Sequence, residues 1–108
     1  MASVTYIKKQ IVSALEDIKG FDIVSLDVRK LTSIADYMII ASASSSRQTR
    51  ALAKNVVEKM KEIEVGIIGL EGEQEGDWVL VDMGDVIVHI MTSPTRAYYN
   101  LEELWVKT

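Results

Sequence analysis

The chain has 108 residues, 48% of them apolar and 26% charged, the balance of one globular domain spanning 1–108 that buries about two thirds of its unfolded surface. It contains no cysteine, which excludes a disulfide framework, a thiolate nucleophile and sulfur ligation of a metal; no apolar run reaches the length of a membrane span. A formal net charge of −4 argues against a sequence-independent nucleic-acid binder, which needs a basic footprint.

Lys8 and Lys9 lead into an amphipathic stretch, so no secretory leader is expected and a cytoplasmic location is the simplest expectation. From about Ser3 to Lys19, Ile7, Ile11, Leu15 and Ile18 recur at helical spacing and Val12 widens the stripe. Ser3 is expected to cap this helix and Gly20 to end it. Asp22 to Val28 alternates as a first strand, and Arg29 to Ala35 is a polar connection. Tyr37 to Ala41 is a near-continuous apolar run, which suits a strand covered on both faces. A serine-rich loop, Ser42 to Gln48, then feeds a helix that runs to about Ile63, with one of Ser44, Ser45 or Ser46 as its cap. Leu52, Ala53, Val56, Val57, Met60 and Ile63 form its apolar face, and Gly66 is expected to end it. Ile67 to Leu70 reads as a third strand, so strand, helix and strand suggest a right-handed parallel crossover.

Glu71 to Asp77 is a polar, glycine-punctuated loop. After it, Trp78 to Met91 reads as a β-hairpin, two β-rich runs flanking Asp82-Met83-Gly84-Asp85. A two-residue loop of Met83 and Gly84 sets Asp82 opposite Asp85, Leu80 opposite Ile87 and Trp78 opposite His89. Alternation puts Val79, Val81, Val86 and Val88 on a core face. Trp78, Leu80, Asp82, Asp85, Ile87 and His89 fall on the other face, where function is sought. Ser93-Pro94 reads as a helix start, serine as cap and proline at the first position. Tyr98, Leu101, Leu104 and Trp105 follow as its apolar stripe. The order is α-β-β-α-β-β-β-α.

Three sources of chemistry can be weighed. Asp82 and Asp85 at a hairpin tip could meet a hard cation, but Asp is a common turn residue for its own backbone bonds. His89 is the only histidine; on an apolar strand it reads more readily as a core or edge residue than as a catalyst. The serines before the second helix could hold a phosphate on backbone N–H groups, yet no phosphate-loop or dinucleotide motif accompanies them and capping explains them. Binding is the better lead. Between Lys61 and Arg96 there is no Lys or Arg, while eight acidic residues fall there, from Glu62 to Asp85. Aromatic residues Trp78, Tyr98, Tyr99 and Trp105 accompany them. Aromatic anchors among carboxylates suit a basic protein surface.

Asp36-Tyr37-Met-Ile-Ile, Ser45-Ser-Arg-Gln48, Gly72-Glu, Asp77-Trp78-Val-Leu-Val-Asp82-Met-Gly-Asp-Val-Ile-Val-His89 and Arg96-Ala-Tyr-Tyr-Asn-Leu101-Glu-Glu-Leu-Trp105 closely resemble, in order and over nearly the whole chain, the ribosomal silencing factor or Iojap-like family. The resemblance implies a mixed sheet of about five strands with flanking helices, similar to the nucleotidyltransferase fold. It implies no enzyme activity and no cofactor or metal. The implied partner is the large ribosomal subunit, reached through large-subunit ribosomal protein fourteen, with subunit joining blocked sterically, translation repressed and a homodimer when free. Carried over residue by residue, the partner-binding set is Trp78, Leu80, Asp82, Tyr98, Leu101 and Glu102. Trp78 and Leu80 are the apolar anchors, with Trp78 expected to protrude; Asp82 and Glu102 are to pair with Lys or Arg. Asp85 and His89 match the family motif but can instead hold the hairpin, and Trp105 is assigned to the core. The alternatives are a large-subunit assembly factor and a metal-dependent nucleotidyltransferase-like enzyme.

Overall fold

A computed structural model describes residues 3–101 and 103; Glu102, Leu104 and Trp105 lie outside the described residues. The elements follow the expected order: α1 (Val4–Asp17), β1 (Phe21–Asp27), β2 (Tyr37–Ala43), α2 (Ser46–Glu62), β3 (Gly69–Glu71), β4 (Trp78–Asp82), β5 (Val86–Thr92) and α3 (Ser93–Tyr99). The strands form one mixed five-stranded sheet in the order β1-β2-β5-β4-β3. Only β2 and β5 pair in parallel; every other neighbouring pair is antiparallel.

The helix N-termini are capped as their serines suggest: Ser3 Oγ accepts from Tyr6 N, and Ser45 Oγ accepts from Gln48 N. The C-termini differ from the expectation. Neither Gly20 nor Gly66 takes the left-handed position; Lys19 (φ 64°) and Glu64 (φ 61°) do. Each helix then closes with the paired bonds of a Schellman motif. Lys19 N donates to Glu16 O and Gly20 N to Leu15 O; Glu64 N donates to Lys61 O and Val65 N to Met60 O. Gly20 serves proximity instead: a Cβ there would stand 3.0 Å from Leu15 O and 3.2 Å from a Leu52 methyl.

The crossover joins parallel strands, as expected, but they are not neighbours. By the pairings β3 runs in the same direction as β2, but it does not pair with it. Two strands, β5 and β4, separate them, and the parallel neighbour of β2 is β5. β3 lies one to two residues later than expected and forms the edge.

The hairpin register is also corrected. Trp78 pairs with Met91, Leu80 with His89 and Asp82 with Ile87. The loop is therefore Gly84-Asp85, one step later than Met83-Gly84, with Met83 N donating to Val86 O at 3.0 Å. Gly84 carries the positive φ of 90°, so it sits at the first loop position, where a primed turn requires it. Moving the loop by one shifts the pairing by two, so every side chain keeps its face. Asp85 alone leaves the expected set, since it lies in the loop, where its carbonyl accepts from Asp36 N and Tyr37 N.

α1 and α2 cover one face of the sheet. Ile39, Ala41, Ala43, Val79, Val81, Val86, Val88 and Ile90 meet Ile11, Leu15, Leu52, Val56 and Met60 in one buried cluster. The opposite face is held by a smaller cluster of Val28, Met38, Ile40 and Met91, with Leu26, Trp78 and Leu101 packed against it. β2 is buried on both sides, as its apolar run implies.

Candidate functional site

The second face ends in an aromatic group. Trp78 opens β4 and α3 follows directly from β5, so the hairpin register brings α3 back over the start of β4. Tyr99 then stacks against Trp78 with ring centroids 4.9 Å apart and planes at 50°, and Tyr98 meets Tyr99 edge-on at 5.0 Å. Tyr98 is 82% exposed. Thr92, not Ser93, is the cap of α3, and its side chain bonds Thr95 Oγ1 (2.9 Å) rather than a backbone N–H; Pro94 sits in the first turn.

Trp78 is half-buried rather than protruding. Its indole N–H donates to His89 Nδ1 at 2.9 Å, across the diagonal of the hairpin that the corrected register creates. His89 is 6% exposed, and burial pushes its pKa down to about 4. Accepting at Nδ1, the neutral ring carries its proton on Nε2, which is buried with no hydrogen-bond partner among the described residues. A side chain so placed orients an indole.

Beside the indole lies an acidic notch. Gly72, Glu75, Asp77, Trp78, Thr95 and Tyr99 line a cavity of about 290 Å³. Gly72 makes this close approach possible: it has φ 83°, and a Cβ there would lie 2.0 Å from Trp78 O. Arg50 on α2 holds the same loop from behind, donating to Glu73 O (2.7 Å) and Gln74 O (3.1 Å). Ser46 Oγ donates to Asp77 Oδ1 at 3.3 Å. The notch can receive a cationic side chain next to an aromatic face, an arrangement that desolvates a Lys or Arg against both.

The structure brings together Trp78, Tyr98 and Leu101, the last partly buried against the cluster that Trp78 joins. Leu80 follows on the same strand face, half-buried. Asp82 is at the other end of β4, about 13 Å away at strand rise. Its Oδ1 accepts from Gly84 N at 2.8 Å, a local turn bond. Glu102 lies outside the described residues. Of the described residues in the expected partner-binding set, Trp78, Tyr98 and Leu101 gather at the Trp78 end and Asp82 does not. Sequence reading left out of that set Tyr99, Glu75, Asp77 and Thr95. Charge counting flagged the two acids, but only the fold places them against the indole. Among the described residues no cluster of three or more His, Cys, Asp or Glu is placed to hold a metal ion.

Comparison with known proteins gives one answer. A family model described as "Ribosomal silencing factor during starvation" matches residues 2–108. A ribosomal silencing factor of Chromobacterium violaceum is 54% identical over 99 residues, which cover 92% of this chain and 81% of that protein. A crystal structure of a Chromobacterium violaceum protein matches with a TM-score of 0.94 at 51% identity, covering 96% of this chain and 87% of the other. More distantly, a mouse protein named "Mitochondrial assembly of ribosomal large subunit protein 1" is 32% identical over 98 residues, 88% of this chain and 43% of that protein.

Proposed function

The chain belongs to the ribosomal silencing factor family, and from that premise we propose that it binds the large ribosomal subunit through large-subunit ribosomal protein fourteen and keeps the small subunit from joining. The observation that carries the reading is the acidic notch of Glu75 and Asp77 set against Trp78 and Tyr99, with Tyr98 exposed beside it. Aromatic anchors supply apolar area at low entropic cost, and the carboxylates select a cationic partner.

The mechanism needs no bond to form or break. A body of 37 × 34 × 21 Å seated on a subunit face excludes whatever would otherwise settle there, and it represses translation by mass action alone. The protein acts in the cytoplasm as a non-enzymatic regulator, and a homodimer is the proposed resting form. Mixing purified subunits with the protein and sedimenting them tests the reading: joined ribosomes should fall and free large subunits carry the protein. Unchanged joining, with no protein on the large subunit, removes the proposal.

A second reading is assembly of the large subunit, which the name of the mouse relative favours. It shares the docking contacts. It is separated from silencing by whether precursor subunits accumulate in cells lacking the protein while mature subunits join normally.

A further inference from the structure

α3 is a seven-residue helix, and none of its residues is buried. Apolar burial is what normally fixes so short a helix to a domain; here Leu101, just beyond α3, packs against the second cluster, while within α3 itself polar and aromatic contacts set the position of Tyr98 and Tyr99. Among the described residues, two side chains three apart, on one face of the helix, make such contacts. Tyr99 reaches Trp78 on β4. Arg96 reaches the far side of the sheet, where its Nη1 donates to Asp22 O (2.5 Å) on β1 and to Ser42 Oγ (2.8 Å) on β2.

The β1 acceptor exists because that strand is irregular. Phe21 pairs with Ser42 and Val24 with Ile40, so Asp22 and Ile23 together oppose Ala41, a β-bulge. Asp22 takes φ 50°, a conformation a non-glycine residue holds only when its surroundings fix it. The bulge takes the Asp22 carbonyl out of the β1–β2 ladder and offers it to α3. Ser42, 2% exposed and one of the few polar residues in the interior, gives the guanidinium its second acceptor. Both bonds are assisted by the arginine charge, and a planar guanidinium is suited to hold two acceptors at once.

We propose that Arg96, seated on the β1 bulge and Ser42, is a positioning residue for the docking surface: it pins α3 across the sheet so that the aromatic group is set before the partner arrives. The inference rests on the docking reading above. It adds that affinity depends on a residue that does not itself belong to the aromatic and acidic surface. Without the anchor the helix samples detached positions, and apparent affinity falls by the fraction of molecules still holding α3 in place.

The test uses the full chain and its Arg96→Ala, Arg96→Lys and Ser42→Ala variants. It measures amide exchange across 94–100 and binding to purified ribosomal protein fourteen. In Arg96→Ala, exchange in α3 should rise about ten-fold or more, as loss of at least two charge-assisted bonds implies, while α2 amides and circular dichroism stay as in the parent chain. Binding should weaken in step. Arg96→Lys and Ser42→Ala should each give a smaller rise, since each keeps one acceptor contact; they also decide the matter if Arg96→Ala does not fold. Unchanged α3 exchange in the folded variants overturns the proposal, as does a loosened α3 with undiminished binding. If the parent chain does not bind the ribosomal protein at all, the docking reading falls, and with it this one, whereas the exchange data still report separately whether Arg96 holds α3.

Discussion

One face of the sheet meets α1 and α2 through aliphatic side chains: Ile39, Ala41, Val79, Val81, Val88 and Ile90 against Leu15, Leu52, Val56 and Met60. The other carries an indole, an imidazole, a buried serine and a few methionine and aliphatic groups, crossed at one end by a helix with no buried residue. The same two strands, β4 and β5, supply both faces by alternation. Aliphatic burial is concentrated on the helix-covered side, where the buried Thr49 hydroxyl is bonded to Ser46 O and Gly76 O, while the other side buries a serine and an imidazole. His89 shows what this burial costs: it is buried, neutral and, among the described residues, without a partner at Nε2.

Substitutions should separate the two faces. Leu52→Ala, at a fully buried position in the aliphatic cluster, is expected to lower unfolding free energy by about 2–5 kcal/mol. Chemical denaturation measures this, and binding should survive wherever the chain is still folded. On the other face the largest effect is one of pH. His89 has a folded pKa of about 4 against an ordinary value of 6.5, so below 6.5 the unfolded chain takes up a proton that the folded chain refuses. Stability is then full above about pH 6.5, falls as pH drops toward 4, and the contribution of this group amounts to about 3 kcal/mol. His89→Gln should flatten that slope. Unfolding curves at pH 7, 5.5 and 4.5 compare the two, and equal slopes would detach the imidazole from the pH response. Trp78→Phe keeps a ring but removes the donor to His89 Nδ1, for an expected loss of about 1–3 kcal/mol. Thermal unfolding measures it, and no loss would mean that the indole bond is dispensable.

Much of this division was legible in the sequence. Alternation in the hairpin assigned Val79, Val81, Val86 and Val88 to the core without knowledge of the register, because faces survive a slip of two. The register itself was not legible, since Gly84 suits either loop position and only the closing bond between Met83 and Val86 decides. Serine caps could be read because their chemistry is local. Helix ends at Lys19 and Glu64 could not, because glycine is favoured at the left-handed position but not required there. The crossover was legible in direction but not in neighbourhood: β3 runs with β2 but pairs with β4. Of the residues named for docking, Trp78, Tyr98 and Leu101 lie at one end of the polar face, whereas the contact of Tyr99 with Trp78 and the anchoring by Arg96 depend on where a short helix lies across four strands. Tyr99 was already among the aromatic candidates, and the spacing of three from Arg96 puts both on one helix face.

The central claim is that the Trp78 end of the polar face is where the partner sits, and Tyr98 tests it most directly because it is 82% exposed and outside both clusters. Tyr98→Ala should change stability by no more than about 0.5 kcal/mol, yet weaken binding to ribosomal protein fourteen about ten-fold or more and restore subunit joining in proportion. A folded Tyr98→Ala protein that binds and blocks joining as well as the parent chain would contradict the account.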